Sequence, residues 1–379
     1  MKEKKILFIV NTDWFFLSHR LPIALEAINQ GYEVHIATTI TNKKKLFLEN
    51  GLKVHPIKLH RSRIGLISII KEFKEIHNII RSIQPDIVHL VTIKPVLLGG
   101  IATRILKVPA VVFAVTGLGY IFLNRSLVAI MRRKVISLLY SIAFKHKNKR
   151  IIFQNFDDKL ILSKLSSLMP IEEELIQGSG VDLSLFTHKP IEPGVPIILL
   201  AARLLKDKGV HEFVLAAKLV NSPVKRARFI LVGETDFDNP SSVAQKDLNQ
   251  WKLEGIIEHW GHRNDMNNVI SSATIVVLPS YREGFPKILI EAAASGRAII
   301  TTDVPGCRDA IDNNITGILI PVKNSQALAN GINTLLDKPL QCIKMGNAGR
   351  LKAENFYDIN KVVEKHIKIY KDLLKQLEK

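Results

Sequence analysis

The chain repeats one pattern from end to end: a short, almost unbroken apolar run, a turn, then a segment of helix length. In the first half the runs fall at residues 5–10, 33–39, 53–59, 86–91, 110–116 and 150–154, and in the second at 197–201, 227–232, 257–260, 274–278, 298–301 and 317–320. Apolar runs that do not alternate with polar residues suit strands buried on both faces, and the longer intervals give room for crossover helices. Helical periodicity is clearest at 17–29, 67–83 and 126–143. The pattern predicts an α/β fold of two Rossmann-like domains. A length of 379 residues and an apolar content of 47% allow two packed cores. Residues 189–196 hold three prolines and a glycine and are the natural linker. This gives an N-terminal domain at 1–190, a C-terminal domain at 191–358, and a charged amphipathic tail helix at 359–379.

Several classes are disfavoured. Two cysteines, Cys307 and Cys342, do not make a disulfide framework or a zinc cluster, and a reducing compartment is expected. The N-terminus imitates a signal peptide, but its apolar run is short and Asp13 follows closely, so it reads as a first strand. The longest uncharged run, 108–124, carries Pro109, Gly117 and Gly119 and suits a strand with a glycine-rich loop better than a spanning helix. The net charge is +18, and residues 1–190 hold 28 Lys and Arg against 14 Asp and Glu, whereas 191–379 hold 25 against 21. The first half should therefore face an anionic partner. The basic clusters are 43–45, 61–63, 132–134 and 145–150; with the helical stretch 127–144 they suit an anionic membrane surface. A core helix with a solvated basic face is the plainer alternative.

The candidate chemistry gathers at 282–296, directly after an apolar strand. Pro286 suits the first helical position, which leaves Glu283 in the loop and Glu291 inside the helix. The backbone N–H groups of Gly284, Phe285 and Lys287 would then form an anion site at the strand's carboxyl end, where open α/β sheets bind ligands. Small and apolar neighbours predict that Glu291 is buried, and a buried carboxyl needs a partner. Arg203 and Lys208 follow the strand that opens the second half; a guanidinium forks onto two phosphate oxygens and an ammonium adds a point charge. Gly233 ends another strand and permits close approach of a ligand.

Four elements in order carry a resemblance: 202–209, with Arg203 and the Lys208-Gly209 pair; 178–186, with Val181, Asp182 and Phe186; 261–265, with Arg263 and Asp265; and Glu283 with Glu291 in their Gly-Phe-Pro context. Together they resemble retaining GT-B glycosyltransferases of the family-4 type over the whole chain. The resemblance implies two Rossmann-like domains with a cleft between them, and a last helix that returns to the first domain. It implies that Glu291 holds the donor ribose, that Glu283 meets the transferred sugar, and that Arg203 and Lys208 neutralise the leaving diphosphate. Arg263 would frame the nucleobase. The donor would be a UDP-sugar, used as a substrate, with no metal and no cofactor.

The first half departs from the family. Residues 11–20 carry none of the usual glycines, and residues 114–120 have no histidine, Thr116 or Gly117 holding that place. His19 and Arg20 enter the cleft, or Ser18 caps a helix of which they form the first turn. Lys94 offers charge to a phosphorylated acceptor, or is simply solvated. Likeness in 18–20, 117–119 and 303–308 is greatest to bacterial enzymes that add N-acetylhexosamine to undecaprenyl-diphosphate sugars in O-antigen, capsule or glycan synthesis. That implies a lipid-linked saccharide acceptor and a cytoplasmic enzyme peripheral to the inner face of the plasma membrane. The alternatives are an epimerase or hydrolase of the same fold, or a soluble acceptor. Nucleic acid is not an expected partner.

Overall fold

The computed structural model describes residues 3–59, 65–118, 127–166, 168–224, 226–236 and 239–377. The chain forms two compact units: one takes it up to Ser179 and again from Asn360, the other is Gly180–Ile359. Segment 189–196 lies inside the second unit. The chain is already committed before it, because Val181 N–H donates to Tyr357 O at 2.8 Å and the Arg350 guanidinium holds the Phe186 carbonyl at 2.8 Å.

The first unit contains β1 (Lys5–Thr12), β2 (Glu33–Thr39), β3 (Lys53–Pro56), β4 (Ile87–Val91), β5 (Ala110–Val115), β6 (Lys149–Phe153) and β7 (Glu173–Leu175). They form one parallel sheet in the order β3-β2-β1-β4-β5-β6-β7. Six of these strands fall on the apolar runs. The three-residue β7 has too little apolar sequence to be seen. The order reverses between β1 and β4, so the carboxyl ends of these two strands are the switch point, where such sheets leave a ligand crevice.

The helical segment expected at 17–29 is two helices, Asp13–His19 and Leu21–Asn29, broken at Arg20 with φ −134° and ψ −16°. Pro22 explains the break, since its ring cannot accommodate a preceding helical turn. Ser18 is therefore near a helix end and is no N-cap. Arg20 is a correction as well: it is 1% exposed and does not reach any surface. Its Nη1 donates to His19 O at 2.9 Å, its Nε has no partner among the described residues, and burial pushes its pKa down to about 10.

The C-terminal helix Ile359–Lys375 covers the same face of the first sheet with Val362, Ile367, Ile369, Tyr370 and Leu373. Across this contact the His89 ring meets Tyr370 OH at 2.6 Å and stacks at 5.8 Å on His366, whose Nδ1 donates to Val362 O at 2.7 Å.

The opposite face carries helices Leu66–Ile83, Gly100–Ile105, Leu127–Ala143 and Phe156–Ser166. Every exposed charged residue described on these four helices is basic: Lys71, Lys74, Arg81, Arg104, Arg132, Lys134 and Lys164. Met131, Val135 and Leu138 are exposed among them. Two members of the expected basic clusters are not on the surface. Lys149 and Arg150 are buried in β6, with Lys149 Nζ on Glu172 Oε1 at 2.5 Å, because a central strand has no solvent face. Arg61, Ser62, Arg63 and Gly119 lie outside the described residues.

The second unit contains β8 (Ile197–Ala201), β9 (Arg228–Val232), β10 (Glu258–His259), β11 (Ile275–Leu278), β12 (Ala298–Thr302) and β13 (Gly317–Ile320) in the parallel order β10-β9-β8-β11-β12-β13. All six fall on the apolar runs of the sequence. The reversal here lies between β8 and β11.

The buried histidines make stability pH-dependent. Burial holds His89 well below the ordinary 6.5, with His366 and Arg20 nearby adding to this, and pushes His366 down to about 3. Unfolding restores the ordinary value, so their contribution is complete above pH 6.5 and is lost as pH falls through 6.5 toward the folded value. We expect the unfolding free energy to decline from neutral pH toward pH 4. His366→Phe keeps a ring but cannot titrate, and should flatten that slope by up to about 1.4 kcal/mol per pH unit. Denaturant titrations at several pH values check this; an unchanged slope in the variant would sink it.

Candidate active site

Three loops at the carboxyl ends of β8, β11 and β12 are fastened to one another. The Asp207 carbonyl, in the loop after β8, accepts from Tyr281 N–H at 2.9 Å and from the Ser280 hydroxyl at 3.1 Å, both after β11. The Ser280 carbonyl in turn accepts from the Thr302 hydroxyl, and Leu278 O from Thr301 Oγ1 at 2.7 Å. Glu283 N–H donates to Pro305 O at 3.3 Å, which ties the acidic loop to the turn after β12. Two glycines let the backbones approach. Gly209 (φ 73°) lies against the Pro279 carbonyl, and Gly306 (φ 79°) against the carbonyls of Glu283 and Gly284, so a Cβ at either position would collide with main chain. Gly233 (φ 128°) fills the same role against Ala202 O, while its N–H reaches Gly261 O at 2.8 Å.

These fastenings bring Lys208, after β8, against Glu283, after β11. Lys208 Nζ is ion-paired with Glu283 Oε1, both side chains being mostly buried at 18% and 13% exposure. Such a pair is kept only where geometry compensates desolvation, and removing one partner leaves a costly charge. Arg203 Nη1 reaches Asp236 Oδ2 at 3.0 Å in a more exposed pair, which a ligand anion can displace at little cost. Arg263 forms a bidentate pair with Asp265 at 2.8 and 2.6 Å.

Pro286 differs from the sequence reading. It is the N-cap, at φ −74° and ψ 122°, and the helix is Lys287–Ala294. The first backbone N–H inside the helix is thus that of Lys287, not one missing at proline. Phe285 turns its ring into the core, edge-on to Tyr357 at 5.6 Å. Glu291 is buried at 8% exposure as expected, and Lys287 Nζ lies 3.4 Å from its Oε1. Desolvation raises its pKa, and Lys287 opposes this. The two cysteines are buried free thiols. Among the described residues, no three His, Cys, Asp or Glu side chains are grouped to hold a metal ion.

The remaining candidates belong to the first unit. Lys94 Nζ is paired with the buried Glu72 at 3.0 Å to both oxygens, which shows that it is not a solvated lysine. Thr116 and Gly117 (φ 128°) follow β5, and Leu118 N–H donates to Asp158 at 3.2 Å. His19 stacks on Phe15 at 4.1 Å. Sequence reasoning missed Ser280, Thr302 and Asp207, since a buried hydroxyl or a main-chain carbonyl leaves no pattern in a single sequence.

Two family models match the chain, Glycosyl transferase 4-like over residues 5–155 and Glycosyl transferases group 1 over 185–352. The chain belongs to the glycosyltransferases built from these two domains, and its fold is GT-B. It is 29% identical to the N,N'-diacetylbacillosaminyl-diphospho-undecaprenol alpha-1,3-N-acetylgalactosaminyltransferase of Campylobacter jejuni, over 96% of this chain and 99% of that one. It is 25% identical to the UDP-Gal:alpha-D-GlcNAc-diphosphoundecaprenol alpha-1,3-galactosyltransferase of Escherichia coli, over 91% and 90%. Anabaena HepE, solved with UDP-glucose, superposes with a TM-score of 0.77 at 18% identity, covering 98% of this chain and 99% of that one.

The raised pKa of Glu291 gives a test with a definite sign. A carboxyl that prefers to be neutral when folded opposes folding once pH rises above its ordinary value of 4.5. Glu291→Gln should therefore raise the melting temperature at pH 7 and make little difference near pH 4. Calorimetry at the two pH values checks this, and a lower melting temperature at pH 7 would show that the carboxylate is stabilising.

Proposed function

We propose that the enzyme transfers an N-acetylhexosamine from a UDP-sugar to a lipid-linked diphosphate saccharide, with retention and without a metal. One observation carries the donor half: the Lys208–Glu283 ion pair joins the loops after β8 and β11 at the switch point, with Arg203 on the first of these stretches and Glu291 in the helix that follows the second. Two cations and two acids in this position suit a ligand with phosphate at its centre and hydroxyls at both ends. Arg203 and Lys208 take the diphosphate, and their charge is most valuable as the leaving group gains charge in the transition state. Lys208 then exchanges Glu283 for phosphate. That frees Glu283 to accept hydrogen bonds from the transferred sugar, while Glu291 receives the ribose hydroxyls. Gly233 and Arg263 line the nucleobase end.

In front-face transfer the acceptor hydroxyl oxygen bonds to the anomeric carbon as the bond to the diphosphate oxygen breaks. The acceptor's proton passes to the departing diphosphate, so no side-chain base is required. Glu283 and Glu291 are binding groups in this scheme, in contrast to the paired carboxylates of a two-step glycosidase.

The acceptor half is supported by the relatives, whose names specify diphospho-undecaprenol substrates. The helix layer of the first unit, whose exposed charges are basic and have Met131, Val135 and Leu138 exposed among them, suits contact with anionic lipid. No described helix is long and apolar enough to cross a membrane.

A thermal-shift screen of UDP-sugars followed by mass analysis with a polyprenyl-diphosphate sugar tests the reading; sugar released from the donor without any glycoside would favour a hydrolase or epimerase. Glu291→Ala should weaken UDP binding about tenfold, and Glu283→Ala should lower kcat about a hundredfold at nearly unchanged UDP affinity. Negligible effects of both substitutions on binding and turnover would overturn the role assignment.

A further inference from the structure

The acidic loop after β11 has a second attachment to the stretch after β8, and a side chain makes it. Tyr281 OH donates to Glu212 Oε1 at 2.6 Å, short as phenol–carboxylate bonds are. Glu212 lies in the first turn of helix Val210–Val220, whose N-cap is Gly209, so it stands just beyond Lys208. Burial, with Glu212 adding to it, holds the Tyr281 phenol above its ordinary pKa, and the hydroxyl is therefore always the donor. Lys323, after β13, sets its ammonium 5.0 Å from the centre of the same ring.

The geometry gives this attachment a use. The bonds from Tyr281 N–H and the Ser280 hydroxyl end on one oxygen, Asp207 O, and relative to the β8 loop they form a pivot. The bond to Glu212 adds a fixed point a helical turn away. Tyr281 is thus gripped at both ends, main chain and phenol, by the segment 207–212 that carries Lys208. Glu283 follows two residues later and meets Lys208 in one orientation. Stability alone does not account for the pair. Glu212 Oε2 is buried and has no hydrogen-bond partner among the described residues, which is costly for a carboxylate.

We propose that Glu212 and Tyr281 are positioning residues for the transfer reaction: their hydrogen bond stops rotation of the acidic loop about Asp207 O and so sets where Glu283 stands. Neither side chain touches the donor in this scheme. A reacting group displaced by about 1 Å loses much of its effect on rate, and such groups are held by a supporting layer of hydrogen bonds. The proposal rests on the donor role given to Glu283 above and adds the pair that orients it.

The test uses the full chain, with UDP-N-acetylgalactosamine as donor and N-acetylglucosamine diphosphate on a short prenyl chain as acceptor. Tyr281→Phe keeps the ring beside Lys323 and removes only the hydroxyl. It should lower kcat about tenfold and leave the KM for the donor nearly unchanged. In a Glu283→Ala background the same substitution should change kcat by no more than about twofold, because it acts through Glu283. Glu212→Leu should match Tyr281→Phe, whereas Glu212→Gln, whose amide oxygen still accepts from the phenol, should recover most of the loss. In the chain without nucleotide, hydrogen exchange of the amides at 281 and 283 should quicken in Tyr281→Phe. An unaltered kcat or unaltered exchange in Tyr281→Phe, or the same loss of kcat in both backgrounds, overturns the proposal. If the donor reading fails, Glu283→Ala by itself leaves turnover unchanged, whereas the exchange measurement still decides whether the pair holds the loop.

Discussion

The candidate site depends on one main-chain carbonyl. Asp207 O accepts from both Tyr281 N–H and the Ser280 hydroxyl, and so fixes the loop after β8 to the loop after β11. Without that junction Lys208 and Glu283 would be side chains on two independent loops, and each would be better solvated than paired. The Thr302 hydroxyl and the Pro305 carbonyl extend the junction to β12. The loops can come this close only because Gly209 and Gly306 have no side chain to place between them. The electrostatics of the site thus follow from backbone contacts, and the ion pair is their consequence.

Much of this fold was legible because a parallel sheet covered on both faces writes its strands as uninterrupted apolar runs. Twelve runs were seen and twelve strands lie on them. The exception, β7, is a three-residue edge strand of sequence Glu-Glu-Leu, which has little to bury on either side. Helix limits were less legible. Periodicity at 17–29 was correctly helical, but the break at Arg20 follows from Pro22. The boundary between the units was obscured for a similar reason: the prolines at 189–196 mark a surface loop, whereas the division is set by Val181 and Phe186 packing beside Tyr357.

The site residues divide along the same line. The positions of Glu283, Glu291, Arg203 and Lys208 beside β11 and β8 could be read from a single sequence because each belongs to a short motif next to a strand. Arg20 could not. Its sequence neighbours suggest a charged helix entry, but the fold places it under the C-terminal helix, beside two histidines held neutral by burial. The basic clusters were partly misleading in the same way. Lys149 and Arg150 count toward the charge of the first half, yet one is consumed by Glu172 and both are buried.

What remains after that subtraction is more informative than the net charge. A net charge speaks of solubility and general attraction, and says nothing about which face meets the partner. On the helix layer over one face of the first sheet, the acids are buried or partly so, and the exposed charges are all cationic. Glu72, buried at 2% exposure, is occupied by Lys94. The acids of this layer are therefore less exposed than most of its cations, an arrangement that composition alone does not require.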